Sequence, residues 1–129
     1  MHKIVRMRSA NNTPVLIEET YLPAARFPGL LDADLTGSVY ALMADEFDTP
    51  PLYSADEHIE AVRAGDSSAQ LLGVAVGDPL LLVTRTAYDG NGVPVEFSYD
   101  YFRSDLTRIR VKSGVDRGPD AEVETSPAS

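Results

Sequence analysis

Ile4-Val5-Arg6-Met7-Arg8, the polar segment Ser9-Ala10-Asn11-Asn12-Thr13-Pro14, and then Val15-Leu16-Ile17-Glu18-Glu19-Thr20-Tyr21 form the stretch that decides the fold. Two alternating runs flank a segment whose asparagines tolerate left-handed backbone and whose proline fixes φ. That pattern predicts a β-hairpin. On the first strand Lys3, Val5 and Met7 share one face, and His2, Ile4, Arg6 and Arg8 the other. On the second, Leu16, Glu18 and Thr20 share a face, opposite Val15, Ile17, Glu19 and Tyr21. Arg6, Arg8 and Glu18 therefore stand where a half-buried strand needs a partner for every charge, because an unpaired buried charge costs several kcal/mol.

The residue types suggest the partner. Arg6 and Arg8 lie about 6–7 Å apart along one strand face. The planar guanidinium fork matches phosphate or carboxylate oxygens in pairs. Glu18, itself an anion, can accept from hydroxyl or amine groups on the same ligand. A simpler reading is a cross-strand Arg6–Glu18 pair on a wet face, which contributes only a fraction of a kcal/mol.

Working outward, Leu22 to Leu31 contains Pro23, Pro28 and Gly29 and is expected to be an apolar loop packed on the core. Val39, Leu42, Met43 and Phe47 have helical spacing, with Thr36 or Ser38 as N-cap and Pro50-Pro51 as terminator. A helix starting there would offer its backbone amides to an anion at Ser38; the bland alternatives are that Ser38 only caps and Tyr40 is a core aromatic. Tyr53 to Arg63 fits an edge strand better than a helix. Asp66-Ser67-Ser68 caps a short helix through Leu72, stopped by Gly73. Leu80 to Ala87 and Val93 to Phe102 are strands joined by the turn Tyr88-Asp89-Gly90-Asn91-Gly92, and Leu106 to Val111 is a further strand. Ser113 to Ser129, acidic and rich in Gly, Pro and Ser without periodicity, is expected to be a disordered tail after a domain spanning 1–112.

The opening device recurs. Leu82-Val83-Thr84-Arg85-Thr86, a polar turn, Pro94, Glu96 and Tyr99 repeat the order apolar strand with arginine, turn, proline, strand with glutamate. Glu96 thus mirrors Glu18. The second copy follows a helix and a turn whereas the first begins at Met1, so the symmetry predicts an N-terminal strand or helix beyond this chain.

Composition narrows the function. The chain has 129 residues, enough for one domain with a sizeable core. Its formal net charge is −9, so a phosphate backbone is repelled and nucleic acid is a poor partner for this segment alone. It has no cysteine, which excludes thiolate metal sites and a cysteine nucleophile. His2 and His58 do not have metal-ligand spacing. No cofactor or metal is expected, and the absence of an apolar leader or span predicts a cytoplasmic location. Glu18 and Glu96 as an acid/base pair is the weaker, enzymatic alternative.

Several blocks together resemble the UTRA domain, the chorismate lyase-like effector module of the HutC branch of GntR transcription regulators. They are Arg6-Met7-Arg8, Pro14 to Pro23, Phe27-Pro28-Gly29-Leu30, Gly37-Ser38-Val39-Tyr40, Leu71-Leu72-Gly73-Val74, Gly77-Asp78-Pro79-Leu80-Leu81, Arg85 to Asp89, Gly92 to Glu96, and Phe102-Arg103-Ser104-Asp105. The resemblance implies an α+β fold with a central antiparallel sheet and helices packed on it. It implies an effector site in which Arg6, Arg8, Ser38 and Tyr40 hold a phosphate while Glu18 and Glu96 hold the sugar side. Phe102 stands where the family usually has tyrosine, removing one ligand hydrogen bond, and Ser104 replaces the usual glycine. It further implies a homodimeric repressor, not an enzyme. DNA would be bound only through an N-terminal winged helix-turn-helix that this chain does not contain. The rivals are a chorismate lyase-like enzyme on the same fold and a plain dimerisation module.

Overall fold

The computed structural model describes residues 1–37, 42, 54–113 and 120–125. The opening hairpin is β1 (His2–Ala10) and β2 (Thr13–Leu22). Its turn is tighter than the six polar residues suggest: only Asn11 and Asn12 leave the ladder, with φ of 50° and 63°. Two successive left-handed residues suit the right-handed twist of a hairpin, and asparagine reaches that region more cheaply than most side chains. The apolar loop after β2 packs as expected, with Leu22, Phe27 and Leu30 fully buried.

β3 (Ser54–Arg63) is a strand, in line with the preferred reading. The helix α1 (Asp66–Leu72) follows Gly65 as N-cap, so no side chain from the Asp66-Ser67-Ser68 run caps it. Gly73 closes it with φ of 70°, a left-handed C-cap that glycine takes without a Cβ penalty. β4 (Pro79–Tyr88) and β5 (Pro94–Arg103) form the second hairpin, and β6 (Thr107–Lys112) follows. The stretch expected to be disordered needs correction: residues 120–125 form β7 (Asp120–Thr125), antiparallel to β6. A strand pairing supplies backbone partners that local composition does not encode, so Gly, Pro and acidic content misled here.

The main sheet has the order β1-β2-β5-β4-β3, all neighbours antiparallel, and β6-β7 is a separate ribbon. The two echoing hairpins therefore lie side by side, joined through β2 and β5. Their two faces are covered differently. On one, Ile17, Leu80 and Val62 pack against Ala64 and the Ala69 and Leu72 side chains of α1. On the other, Ile4 and Leu22 pack under Phe27, Leu30 and Leu35 of the loop. The block Arg103-Ser104-Asp105 fastens this frame. Arg103 forks onto Asp105 at 3.1 and 2.7 Å and donates to the Leu72 carbonyl at the end of α1. Ser104 donates to the Pro79 carbonyl at 2.7 Å.

Candidate functional site

Strand register places the charged residues. Arg6 on β1 pairs with Glu18 on β2, and Glu18 pairs with Asp100 on β5. In an antiparallel sheet directly opposed residues point to the same side, so these three form one row across three strands. Asp100 pairs onward with Val83, and Val83 with Ile59. The next row one way runs Arg8, Leu16, Phe102, Leu81, Ala61; the other way it runs Ile4, Thr20, Ser98, Arg85, Glu57. Glu96, on the same side of β5 as Ser98 and Asp100, pairs with Ala87. The face opposite α1 thus gathers Arg6, Arg8, Arg85, Glu18, Glu57, Glu96 and Asp100.

The guanidiniums are not splayed into solvent. Arg6 is 17% exposed and donates through Nη2 to Glu18 Oε2 at 2.6 Å. Its Nη1 donates to the carbonyls of Gly37 at 2.9 Å and Leu35 at 3.3 Å. Arg8, more open at 39%, lies 3.8 Å from Glu18 Oε1 and donates to the Thr36 and Gly37 carbonyls at 3.3 Å each. The cross-strand Arg6–Glu18 pair foreseen as the simpler reading therefore exists, and both arginines also hold the segment Leu35–Gly37 against the sheet. Arg6 Nε is buried with no hydrogen-bond partner among the described residues. Thr36 donates its amide and its hydroxyl to Asp34 Oδ1 at 3.0 and 2.6 Å, and the helix start it was expected to cap lies outside the described residues. Ser38 and Tyr40 lie outside the described residues, as does most of the expected helix, although Gly37 brings the chain to the arginines immediately before Ser38.

At the other end of the face Glu96 is buried, with Arg85 Nε 3.9 Å from its Oε1 and Arg85 Nη1 3.2 Å from Glu57 Oε1. Phe102, also buried, sits in the Arg8 row between Leu16 and Leu81 and gives that part of the face an apolar floor.

Sequence reasoning passed over Asp100. Burial pushes its carboxyl up to about 7, reinforced by the negative charges of Glu18 and Glu96 and opposed by Arg85. The signal was available: Glu96, Ser98, Asp100 and Phe102 have the same parity on β5, so choosing Glu96 as inward-facing selects Asp100 as well. Arg85 and Glu57 belong to the same constellation, but Glu57 reaches it only through the β3–β4 register.

Chemically, the face offers guanidiniums with a backbone-bound loop at one end and clustered carboxylates at the centre and far end. Such a face suits a small molecule with an anion at one end and hydrogen-bond donors at the other. No helix among the described residues is long and apolar enough to cross a membrane.

Known proteins give this arrangement its class. The chain is 36% identical to a solved ligand-binding domain from Bordetella bronchiseptica assigned to the GntR family of transcriptional regulators, with a TM-score of 0.73 over 80% of this chain and 66% of that one. It is 28% identical to the effector domain of PhnF from Mycobacterium smegmatis, with a TM-score of 0.75 over 80% of this chain and 63% of that one. The fold and these likenesses define an effector-binding domain of the kind carried by GntR-family transcription regulators. The UTRA domain model matches residues 1–108, and the chain belongs to that family. Among relatives, the HTH-type transcriptional repressor NagR of Bacillus subtilis is 31% identical over 105 residues, which are 81% of this chain and 43% of that protein. The chain spans less than half the length of NagR and of the GmuR regulator from the same organism.

Proposed function

We propose that this chain is the sensing part of a HutC-type repressor and that it binds a small anionic effector such as a sugar phosphate or amino-sugar phosphate. The observation that carries this reading is the inward pairing of Arg6 and Arg8 beside Glu18, at the end of the loop that leads to Ser38. The anion docks on Arg6 and Arg8, with Ser38 and Tyr40 completing its shell. Glu18 and Glu96 accept from the polar remainder of the ligand, and Phe102 packs against it. The Gly37, Leu35 and Thr36 carbonyls accept hydrogen bonds from these guanidiniums. A ligand anion replaces those acceptors and releases or recasts the loop.

The signal then passes to DNA-reading winged helix-turn-helix domains in the cytoplasmic, homodimeric full-length protein. Effector binding shifts the balance between two dimer geometries in proportion to its differential affinity for them. The domain binds without turnover. Thermal-shift screening against phosphorylated sugars and amino sugars, with chorismate incubated in parallel, tests the proposal. Stabilisation by a phosphorylated sugar with chorismate left intact is the expected result. Conversion of chorismate would favour the enzymatic rival.

A further inference from the structure

We propose that Asp100 is a positioning residue of the anion site: it takes up a proton when an anion claims the Arg6 and Arg8 guanidiniums, and so ties effector affinity to pH. The inference rests on the anion-binding reading above and adds a regulation to that site.

The geometry is a charge relay by field rather than by contact. Arg6, Glu18 and Asp100 occupy consecutive register positions on β1, β2 and β5, with strands about 4.8 Å apart. Glu18 is offset by Arg6 at 2.6 Å and Arg8 at 3.8 Å. An anion on those guanidiniums shares their positive charge, leaves Glu18 less neutralised, and adds its own charge to the face. Both changes make an ionised Asp100 more costly.

Every strand of the sheet bears on this balance. β1 supplies Arg6 and Arg8, and at its far end His2, whose ring nitrogen lies 2.6 Å from the Phe27 carbonyl oxygen. β2 supplies Glu18 and β5 Glu96; β4 supplies Arg85, whose charge is already divided between Glu57 of β3 and Glu96. Val83 and Ile59, which complete the Asp100 row, contribute no charge. Among the described residues no cation forms a salt bridge with Asp100. Its carboxyl, held up to about 7 by burial and by Glu18 and Glu96, is divided between its two forms near neutrality, where a modest added field tips it. The step is one proton moving from solvent to the carboxylate, with no other bond made or broken.

The sign follows from linkage. Binding that raises a proton affinity is strengthened by protons, so anion affinity falls as pH rises through about 7 and levels off at lower pH, where Asp100 is protonated with or without ligand. One proton limits the slope to about tenfold per pH unit.

Sulfate is the probe, because its own charge is constant over this range. Its dissociation constant is measured by NMR amide shifts at about pH 6, 7 and 8.5 in the wild-type chain, Asp100→Asn and Asp100→Ser. The wild type is expected to bind about three- to tenfold more weakly at the highest pH than at the lowest. Both variants, permanently uncharged at this position, are expected to keep the tighter affinity throughout. A pH dependence that persists in both variants, or a flat wild-type profile, overturns the role of Asp100 while leaving the anion site standing. No sulfate binding at any pH removes the anion site and this inference with it.

Discussion

Asp89 carries the turn of the second hairpin. Its carboxylate accepts from the Asn91 and Val93 amides at 2.9 and 3.0 Å, and from Arg26 of the apolar loop at 2.8 Å. The Val93 amide bond, more than the Arg26 charge, holds the pKa of its carboxyl below the ordinary value of 3.8. A depressed carboxyl contributes stability above that ordinary value and loses it as pH falls through the depressed one. Asp89→Ala should therefore lower the melting temperature at neutral pH, and the deficit should narrow as pH falls below 3.8. Asp100 has the opposite sign. Its carboxyl is raised from 3.8 to about 7, so the folded state loses stability as pH climbs through that interval. Asp100→Asn should gain about 1–2 kcal/mol at pH 8, after discounting for partial exposure, and nothing below 3.8. Urea melts at the two pH values check this; a destabilised Asp100→Asn at pH 8 would contradict the burial argument. At this scale alternation exposed the misplaced charges of Arg6, Arg8 and Glu18. It did not reveal that Nη groups of both guanidiniums donate to carbonyls of residues 35–37, because that contact spans about 30 positions of chain.

At the scale of elements, local chemistry was a good guide wherever a turn or cap needed a particular backbone. Asn11 and Asn12 marked their hairpin, and Gly73 marked the end of α1. Gly73→Ala should cost about 1 kcal/mol, since alanine is strained at φ of 70° even though no atom lies near the added Cβ. Leu72, fully buried against Ile17 and Leu80, should cost about 3 kcal/mol as Leu72→Ala. Equilibrium denaturation measures both, and a smaller loss for Leu72→Ala than for Gly73→Ala would mean that α1 does not seal the face opposite the charges. β7 was missed because its partner β6 supplies the ordering free energy that its own composition does not reveal.

For the molecule as a whole, the echo between two stretches predicted two similar hairpins, and the structure sets them side by side through β2 and β5. The sequence echo pointed to Glu96 as the counterpart of Glu18, yet the residue opposite Glu18 is Asp100. Register between distant strands is set by packing of whole faces, and a short internal repeat cannot specify it. The homodimer proposed for the sensing unit predicts twice the chain mass by light scattering at micromolar concentration; a monomer there would place the dimer contacts outside this segment. The central claim is that Arg6 and Arg8 receive an anion. Calorimetric titration of glucose 6-phosphate into the wild-type chain and into Arg8→Gln, whose more open guanidinium can be removed with little damage to the core, tests it most directly. Saturable binding weakened about tenfold or more in the variant, with an unchanged fold, is the predicted result. Equal affinity in the two proteins, or no binding to the wild type, would contradict it.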